Sequence, residues 1–170
     1  ETDKLGGNDP YSASKACTEI VTNSYRSSFF DPSGIGLATA RAGNVIGGGD
    51  WSKDRIIPDA VRALHANQKI KVRNPYSSRP WQHVLEPLFC YLLLAEKMYK
   101  RDKSLATSFN FGPRLESNKN VKELVNEVLR FWEGDWEDIS NDKVLHEANL
   151  LNLTYEKAYH FLGWQPKWDF

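Results

Sequence analysis

Apolar positions near the start of the chain repeat with the period of an α-helix. Between residues 10 and 29 they recur at steps of three and four, which places them on one stripe of an amphipathic helix. Asp9 is a residue type that caps a first helical turn, and Pro10 suits the position after the cap, where no backbone donor is needed. The pattern therefore predicts a helix over residues 10–29, with Ala13, Ala16, Cys17, Ile20, Val21, Tyr25 and Phe29 on its apolar face.

Strand-like and helix-like segments then alternate along the chain. Residues 35–42 and 108–112 are mostly small or apolar, which predicts buried parallel strands, because both faces of such strands are covered. A glycine-rich loop follows at residues 43–49, and ligands bind at loops beyond the carboxyl ends of parallel strands. This alternation is typical of an α/β protein. The remaining pattern predicts a strand over 69–73 and helices over 56–66, 87–99, 121–132 and 154–162.

The composition argues against several classes of function. The 170 residues are 41% hydrophobic, with 22 basic and 22 acidic side chains, so the formal net charge is zero. A chain of this length can bury about 70% of its unfolded surface. Without a basic excess we expect neither nucleic acid nor a membrane as a partner, and no apolar run reaches the ~20 residues of a membrane span.

The cysteines and histidines give no sign of a disulfide or a metal site. Cys17 and Cys90 fall on predicted apolar helix faces, which favours reduced core residues of a cytoplasmic protein. The four histidines form neither an HExxH motif nor a cluster with cysteine, so we expect no metal. The first residues do not resemble a signal peptide, which agrees with a cytoplasmic location.

One spacing carries candidate chemistry. Tyr11 and Lys15 stand four positions apart in the first turns of the predicted helix, and residues at that spacing share one helix face. A fixed ammonium near a phenol favours the phenolate, which can take a proton from a sugar hydroxyl while the carbon beneath loses a hydride to a nicotinamide. The alternative is ordinary helix surface, because Tyr99 and Lys103 have the same spacing at a charged helix end. The spacing alone leaves both interpretations open.

A dinucleotide-binding motif is missing from the chain. A sheet that binds a dinucleotide needs a glycine-rich turn between its first strand and helix. None of the 11 glycines falls into a GxGxxG or P-loop spacing. We therefore expect that these residues are not a whole enzyme.

Five motifs occur along the chain in a fixed order, and the first of them contains Tyr11 and Lys15. They read NDPYSASK, ARAGNVIGGGDW, DRIIPD, VRNPYSSRPWQHVLEPL and FNFGP. In this order they resemble the C-terminal half of the extended short-chain dehydrogenase/reductases that act on nucleotide sugars, a family of dehydratases and epimerases. The resemblance is weakest over residues 134–152. It implies an α/β fold made of the C-terminal part of a Rossmann-like parallel sheet and a smaller, mainly helical substrate-binding part.

The resemblance implies roles for nine residues. Tyr11 would be the catalytic acid or base, and Lys15 would favour its phenolate while holding the nicotinamide ribose, so both would belong to the NAD site. Asn44 would contact a substrate phosphate. The other implied substrate-binding residues are Arg55, Ile57 and Pro58 along the nucleotide, Arg73 near the base, Arg79 on the diphosphate or ribose, and Asn110 as a further polar contact.

Simpler explanations exist for three of these residues. Asn44 can be present simply because asparagine tolerates the backbone of a turn, here at the start of the glycine-rich loop. Arg55 can be an exposed residue at a helix start, where arginine is common. Arg79 can be a structural residue stacked on Tyr76 or Trp81 rather than an exposed contact to a ligand.

The reaction implied by the resemblance is the NAD-dependent dehydration of a nucleotide sugar, with CDP-glucose as the favoured substrate. A hydride leaves sugar C4 for NAD, water is lost across C5 and C6, and the hydride returns to C6. In this family the elimination acid and base and a serine or threonine partner precede the tyrosine, so we expect them upstream of Glu1 and leave the activity of this chain alone open. The alternatives are an epimerase or decarboxylase of the same family and a non-catalytic module that dimerises or binds sugar nucleotides.

The resemblance also divides the chain and implies partners. Residues 1–48 and 81–112 would form a partial NAD domain, and residues 49–80 and 113–170 the nucleotide-sugar-binding part. In this family the helix predicted over residues 10–29 packs against its mate in a dimer. We therefore expect a homodimer or a higher homo-oligomer through this helix.

Overall fold

The computed structural model of the chain describes residues 4–7, 9–100, 103–141 and 151–170. Asn8 of the first motif, Arg101 and Asp102 beside Tyr99, and His146 lie outside the described residues. Along the chain the elements are α1 (Pro10–Tyr25), β1 (Thr39–Ala42), β2 (Asn44–Ile46), α2 (Ile56–His65), β3 (Ile70–Val72), β4 (Ser78–His83), α3 (Leu85–Tyr99), β5 (Ser108–Phe111), β6 (Asn118–Asn120), α4 (Val121–Leu129), β7 (Trp136–Asp138) and α5 (Glu156–Leu162).

The chain divides into two compact units. The first unit comprises Glu1–Ala42, Pro87–Phe111 and Thr154–Gln165, and the second comprises Gly43–Glu86, Gly112–Leu153 and Pro166–Phe170. The predicted division into an NAD part and a nucleotide-sugar part differs from these bounds at residues 43–48, 81–86, 112 and 154–165. The assignment of a ligand to each part stays a prediction.

Strands β1 and β5 of the first unit pair in parallel. Thr39 lies opposite Ser108, and the ladder continues to the ends of both strands. The prediction that residues 35–42 and 108–112 form parallel strands is therefore confirmed, and the structure shows that the two strands are neighbours. Strand β1 begins four residues later than predicted, at Thr39, whose amide donates to the carbonyl oxygen of Thr107 at 3.2 Å just before β5.

One face of this strand pair carries the apolar core of the first unit. Phe109 and Phe111 are fully buried, and the Phe111 ring meets the edge of the Trp164 ring at a centroid distance of 5.5 Å. Helices α3 and α5 cover this face, as a parallel sheet requires. The other buried members of the core are Cys90, Leu94, Leu105, Ala158 and Leu162. The prediction of Cys90 as a core residue is confirmed.

Helix α1 begins where the sequence predicts. The Asp9 carboxylate accepts hydrogen bonds from the backbone amide of Ser12 at 2.9 Å and from its hydroxyl at 2.6 Å. The hydroxyl and the amide of Ser12 hold the pKa of Asp9 below its ordinary value. Pro10 takes the first helical position, where its missing donor costs nothing. After Tyr25 the helical path continues as a π-helical turn, Arg26–Phe30, close to the predicted end.

The apolar face of α1 is largely exposed. Within α1 only Ala16 is buried, whereas Ile20 and Val21 are more than half exposed. Cys17 is also exposed, so its prediction as a core residue was wrong. The stripe that the sequence predicts is thus a surface of this chain.

The second unit is built on two small sheets and two helices. Strand β4 lies between β2, which runs parallel to it, and β6, which runs antiparallel. Strands β3 and β7 form a separate parallel pair. An apolar core joins β3 to α2 and α4, and its buried members are Ala60, Leu64, Ile70, Val72 and Val125.

The sequence predicts the two helices of this unit and β3, but not β2, β4, β6 or β7. Strand β4 reads SRPWQH, and Pro80 within it cannot donate to a sheet ladder, so its pattern does not indicate a strand. Strands β2, β6 and β7 read NVI, NKN and WED, so they lack the polar–apolar alternation that residues 69–73 (KIKVR) show around β3. The smaller part was predicted as mainly helical and contains these strands as well.

Phe111→Ala is expected to lower the free energy of unfolding by about 3–5 kcal/mol, because it removes a fully buried ring and leaves a cavity. Chemical denaturation followed by tryptophan fluorescence measures the change. The matched control is Phe131→Ala, since Phe131 is 83% exposed. The control should change the free energy by no more than about 0.5 kcal/mol. Equal losses in both variants would contradict this description of the core.

Candidate functional site

Tyr11 and Lys15 lie on one accessible face of α1. The Lys15 Nζ atom is 5.4 Å from the centroid of the Tyr11 ring. Both side chains are exposed, that of Tyr11 to 71%. The Asp9 cap determines where the helix begins and therefore which residues share this face. The phenol and the ammonium are close to each other and open to a ligand.

Tyr99 and Lys103 have the same four-residue spacing as Tyr11 and Lys15, but they do not lie on one helix. Tyr99 is the last residue of α3, and it is 89% exposed. Lys103 begins a separate 3-10 turn, Lys103–Leu105. Continuity of the helix thus distinguishes Tyr11 from Tyr99, which spacing alone did not.

A carboxylate that the sequence analysis missed joins α1 to both strands of the first unit. Glu19 Oε2 accepts hydrogen bonds from Thr39 Oγ1 at 2.8 Å and from Ser108 Oγ at 3.0 Å. Glu19 Oε1 lies 3.7 Å from Arg41 Nε in an ion pair, and the Glu19 side chain is only 13% exposed. The sequence around Glu19 does not indicate this role, because the two hydroxyl groups that bind its carboxylate are 20 and 89 residues away in the chain.

Asn110 lies on β5 beside these groups. It stands opposite Arg41 in the parallel ladder and is 5% exposed. Side chains alternate along a strand, so Asn110 shares a face with Ser108 rather than with the phenylalanines of the core. The structure therefore places Asn110 in the same unit as Tyr11 and Lys15. Its contact to a substrate stays a prediction.

Asn44 begins β2 and lies opposite Trp81 of β4. Among the described residues, the non-glycine residues with positive φ are Asp54 and Asn67, so Asn44 has strand backbone rather than that of a left-handed turn. Gly43 before it lies against β4, where a Cβ atom would come within 3.0 Å of the carbonyl oxygen of Pro80. The glycine thus permits the close approach of the chain that precedes Asn44.

Arg55 stands just before α2 and contacts a neighbouring carboxylate. Its Nη1 is 2.8 Å from Asp50 Oδ2, and the Arg55 side chain is 64% exposed. Hydrogen bonds from the amide and hydroxyl of Ser52, and then from Arg55, hold the pKa of Asp50 below its ordinary value. Ile57 and Pro58 follow in the first turn of α2, where Ile57 is half-buried and Pro58 is buried.

Arg73 lines an open cavity of about 410 Å³ in the second unit. Its Nη2 is 3.2 Å from Asp54 Oδ1, and both side chains are mostly exposed. Basic groups outnumber acidic ones around the cavity, whose other charged lining residues are Asp59, Arg62, Lys69 and Lys71. The position of Arg73 is therefore open to an anionic or polar ligand.

Arg79 is a buried residue of β4, which differs from the exposed contact expected from the sequence. It is 8% exposed, and its Nη1 donates a hydrogen bond to the carbonyl oxygen of Ser78 at 2.9 Å. Two residues further on, the Trp81 indole donates to the carbonyl oxygen of Lys119 at 2.9 Å, whereas Tyr76 is 72% exposed. The β4 ladder thus determines the backbone around Arg79.

The predicted site residues occur in both units. Tyr11, Lys15 and Asn110 belong to the first unit, and the other six belong to the second. Where the structure describes the chain, no group of three or more His, Cys, Asp or Glu side chains is placed to hold a metal ion. No helix in that part of the chain is long and apolar enough to cross a membrane.

The profile of the NAD dependent epimerase/dehydratase family matches residues 1–112. The chain belongs to this family. All nine predicted site residues fall inside the matched segment, and the resemblance inferred from the five motifs is confirmed. The match does not test the role of any single residue, so the roles stay predictions.

Two curated proteins resemble this epimerase/dehydratase chain over nearly all of its length. It is 47% identical over 175 aligned positions to CDP-glucose 4,6-dehydratase of Salmonella typhimurium, covering 99% of this chain and 48% of that protein. It is 26% identical to the low-salt glycan biosynthesis protein Agl12 of Haloferax volcanii, covering 100% of this chain and 51% of that protein. The chain thus spans about half the length of these relatives.

Solved structures of the family support the same fold. The dTDP-glucose 4,6-dehydratase of Bacillus anthracis, solved with NAD, superposes with a TM-score of 0.82 at 20% identity, covering 100% of this chain and 51% of that chain. DesIV, the dTDP-glucose 4,6-dehydratase of Streptomyces venezuelae, superposes with a TM-score of 0.82 at 21% identity, covering 100% of this chain and 50% of that chain. The predicted α/β class with part of a Rossmann-like parallel sheet is therefore confirmed.

The Asp50 carboxyl group is expected to titrate below the ordinary aspartate pKa, because hydrogen bonds from Ser52 and Arg55 favour its charged form. Because the pKa of Asp50 is lower in the folded protein, these contacts contribute their full stabilisation at pH values above the ordinary aspartate pKa. They are lost as the pH falls through the lowered one. Carboxyl NMR measures the titration. Ser52→Ala should move the pKa back toward its ordinary value, whereas Ser33→Ala in the first unit should not. An Asp50 pKa that is at or above its ordinary value would contradict the geometry.

Proposed function

We propose that this chain forms the tyrosine-bearing half of an NAD-dependent CDP-glucose 4,6-dehydratase, a lyase of carbohydrate biosynthesis. The observation that carries the proposal is the 47% identity to the Salmonella typhimurium enzyme over 99% of this chain. Because the chain covers 48% of that relative, the proposal does not extend to activity of the 170 residues alone.

Tyr11 is the acid-base group of the proposed first step. Its deprotonated side-chain oxygen would take the proton from the C4 hydroxyl of the sugar as C4 loses a hydride to the bound nicotinamide. Water would then be removed across C5 and C6, and the same hydride would be returned to C6. The ammonium of Lys15 lies 5.4 Å from the Tyr11 ring centroid, so in this proposal the two groups act together on the substrate. The exposure of Tyr11 supports the role, because a catalytic phenol must reach the substrate.

The donors on this face of α1 fit the ribose end of NAD. Lys15 and Tyr11 are accessible and can both donate hydrogen bonds to sugar hydroxyls. The chemistry that NAD supplies when bound is the acceptance of a hydride from C4 and its return to C6. The pyrophosphate of a dinucleotide is held elsewhere, since the 11 glycines of this chain include no GxGxxG spacing.

The nucleotide-sugar contacts are proposed mainly for the second unit. Arginine is the side chain best suited to a diphosphate, because its planar fork can bind two oxygens at once. We assign this role to Arg79, with Arg73 near the base because it lines the cavity of about 410 Å³. The remaining proposed contacts are Asn44, Arg55, Ile57 and Pro58, with Asn110 from the first unit. In this proposal residues 49–80 and 113–170 form the nucleotide-sugar-binding part, as the resemblance implied.

We also propose that the protein is a cytoplasmic homodimer or higher homo-oligomer. The exposed apolar face of α1 and the following turn supports the assembly, because apolar surface of this kind is usually covered. Its exposed members are Ile20, Val21, Tyr25 and Phe29, each more than half exposed. A second copy of the same helix would cover them.

Tyr11→Phe in the full-length protein is expected to lower kcat by about 10²–10⁴, because the only hydroxyl assigned to the C4 proton is removed. Conversion of CDP-glucose to its 4-keto-6-deoxy product measures the effect. The matched control is Tyr99→Phe, which alters an exposed tyrosine with the same spacing to a lysine. Parent-like turnover by Tyr11→Phe would remove Tyr11 from the mechanism. A C4 epimer as the product of the parent protein would favour the epimerase alternative.

Arg79→Lys in the full-length protein is expected to raise the KM for CDP-glucose by about 10- to 100-fold, since hydrogen bonds to charged groups contribute about 1.5–3 kcal/mol. Steady-state kinetics and the thermal shift caused by CDP measure the loss. Arg130→Lys is the control, because Arg130 is exposed and pairs with Glu127 on the surface of α4. A lower melting temperature for Arg79→Lys with an unchanged KM would make Arg79 a structural residue, and its assignment to the diphosphate would be dropped.

A further inference from the structure

The Glu19 carboxylate binds the two strands of the first unit at the same point. Thr39 and Ser108 are opposite each other in the β1–β5 ladder, and both hydroxyls donate to the same oxygen, Glu19 Oε2. Hydrogen bonds to a carboxylate are roughly twice as strong as those between neutral groups. The second oxygen faces Arg41 at 3.7 Å. One side chain of α1 is therefore attached to the start of both strands.

Apolar packing contributes little to holding α1 in the part of the chain that the structure describes. Ala16 is the only buried residue within α1, and the larger apolar side chains of the helix are exposed. A second polar attachment lies beyond its end, where Arg26 Nε donates to the carbonyl oxygen of Leu37 at 2.7 Å. Polar contacts at Glu19 and Arg26 thus determine where the helix lies on the strands.

Tyr11 and Lys15 lie on the part of α1 that precedes the Glu19 attachment. Beside Tyr11, the Asp9 carboxylate and Ser12 bind each other at the start of the helix. Glu19 follows Lys15 by one helical turn and Tyr11 by about two, so about 12 Å of helix separate Tyr11 from the carboxylate. A rotation of only about 5° at Glu19 would move the phenol by about 1 Å over that length. An error of that size in the position of a reacting group can lower a rate by about 100-fold.

We infer that Glu19 is a positioning residue, which holds α1 on the β1–β5 pair and so places Tyr11 and Lys15 for proton transfer. The inference rests on the proposed function for the reaction that it affects. Glu19 does not touch the reacting atoms in this mechanism. It acts through the helix, and its partners Thr39 and Ser108 act through Glu19.

The test compares Glu19→Ala and Glu19→Gln in the full-length protein. Glu19→Ala removes the acceptor of both hydroxyls and should lower kcat by about 10- to 100-fold, while the KM for CDP-glucose stays within about twofold. Glu19→Gln keeps an acceptor oxygen of similar reach and should restore kcat to within about threefold of the parent. The control is Glu96→Ala, which removes an exposed glutamate paired with Lys100 on the surface of α3. It should leave kcat and KM unchanged.

Two further measurements separate the inference from a loss of stability and from the proposed function. The double variant Thr39→Val with Ser108→Ala removes both hydroxyl donors and should lower kcat as Glu19→Ala does, with no additional loss when all three changes are combined. Hydrogen exchange of the α1 amides should become faster in Glu19→Ala than in the parent, whatever reaction the protein catalyses.

The outcomes are distinct. A parent protein without dehydratase activity would overturn the proposed function, and faster exchange of α1 in Glu19→Ala would still support the attachment of the helix. Unchanged exchange of α1 in Glu19→Ala would overturn the inference about Glu19 even if the parent is an active dehydratase. So would a kcat equal to that of the parent, or a rise in KM with kcat unchanged.

Discussion

The parallel pairing of β1 with β5 is the constraint on which the first unit depends. Both faces of a parallel pair must be covered, and the two faces of this one differ in chemistry. Phe109 and Phe111 make one face apolar, and α3 and α5 pack on it. Thr39 and Ser108 make the other face polar, so α1 is attached there by the carboxylate of Glu19. Helix α1 has one buried apolar residue and is held by hydrogen bonds to the Glu19 carboxylate. Losing hydrogen bonds to a charged group costs more free energy than losing an exposed contact.

Strand β4 has the corresponding role in the second unit. It is the only strand there with a neighbour on each side among the described sheets, and Pro80, Trp81 and Gln82 within it are buried. A buried arginine requires polar partners, and Arg79 has the carbonyl oxygen of Ser78 as one of them. In the loop between β2 and α2 the half-buried Asp50 carboxylate pairs with an arginine whose side chain is 64% exposed. Asp50 contacts Arg55 in this way.

The geometry of the tyrosine and lysine links the family match to chemistry. A phenol acts as an acid-base group only when a cation favours its ionised form and a substrate can reach it. Tyr11 is 71% exposed and lies beside Lys15 on a capped helix, so both groups are open to a ligand. Tyr99 has no such lysine on its own helix, because α3 ends before Lys103. The acid-base role of Tyr11 stays a prediction. Residues 1–112 match the NAD dependent epimerase/dehydratase family.

The sequence alone determined the elements with a clear period and the chemistry carried by local spacing. It predicted α1 with its cap, β1 and β5 as parallel strands and the Tyr11–Lys15 face, because these depend on residues that are near one another or on runs long enough to show a pattern. Only the tertiary structure decided that β4 is a strand despite Pro80, that Arg79 is buried and that Glu19 reaches Ser108. Those features arise from contacts between residues far apart in the chain, 89 positions in the case of Glu19 and Ser108, and no local pattern encodes which distant group will be the partner.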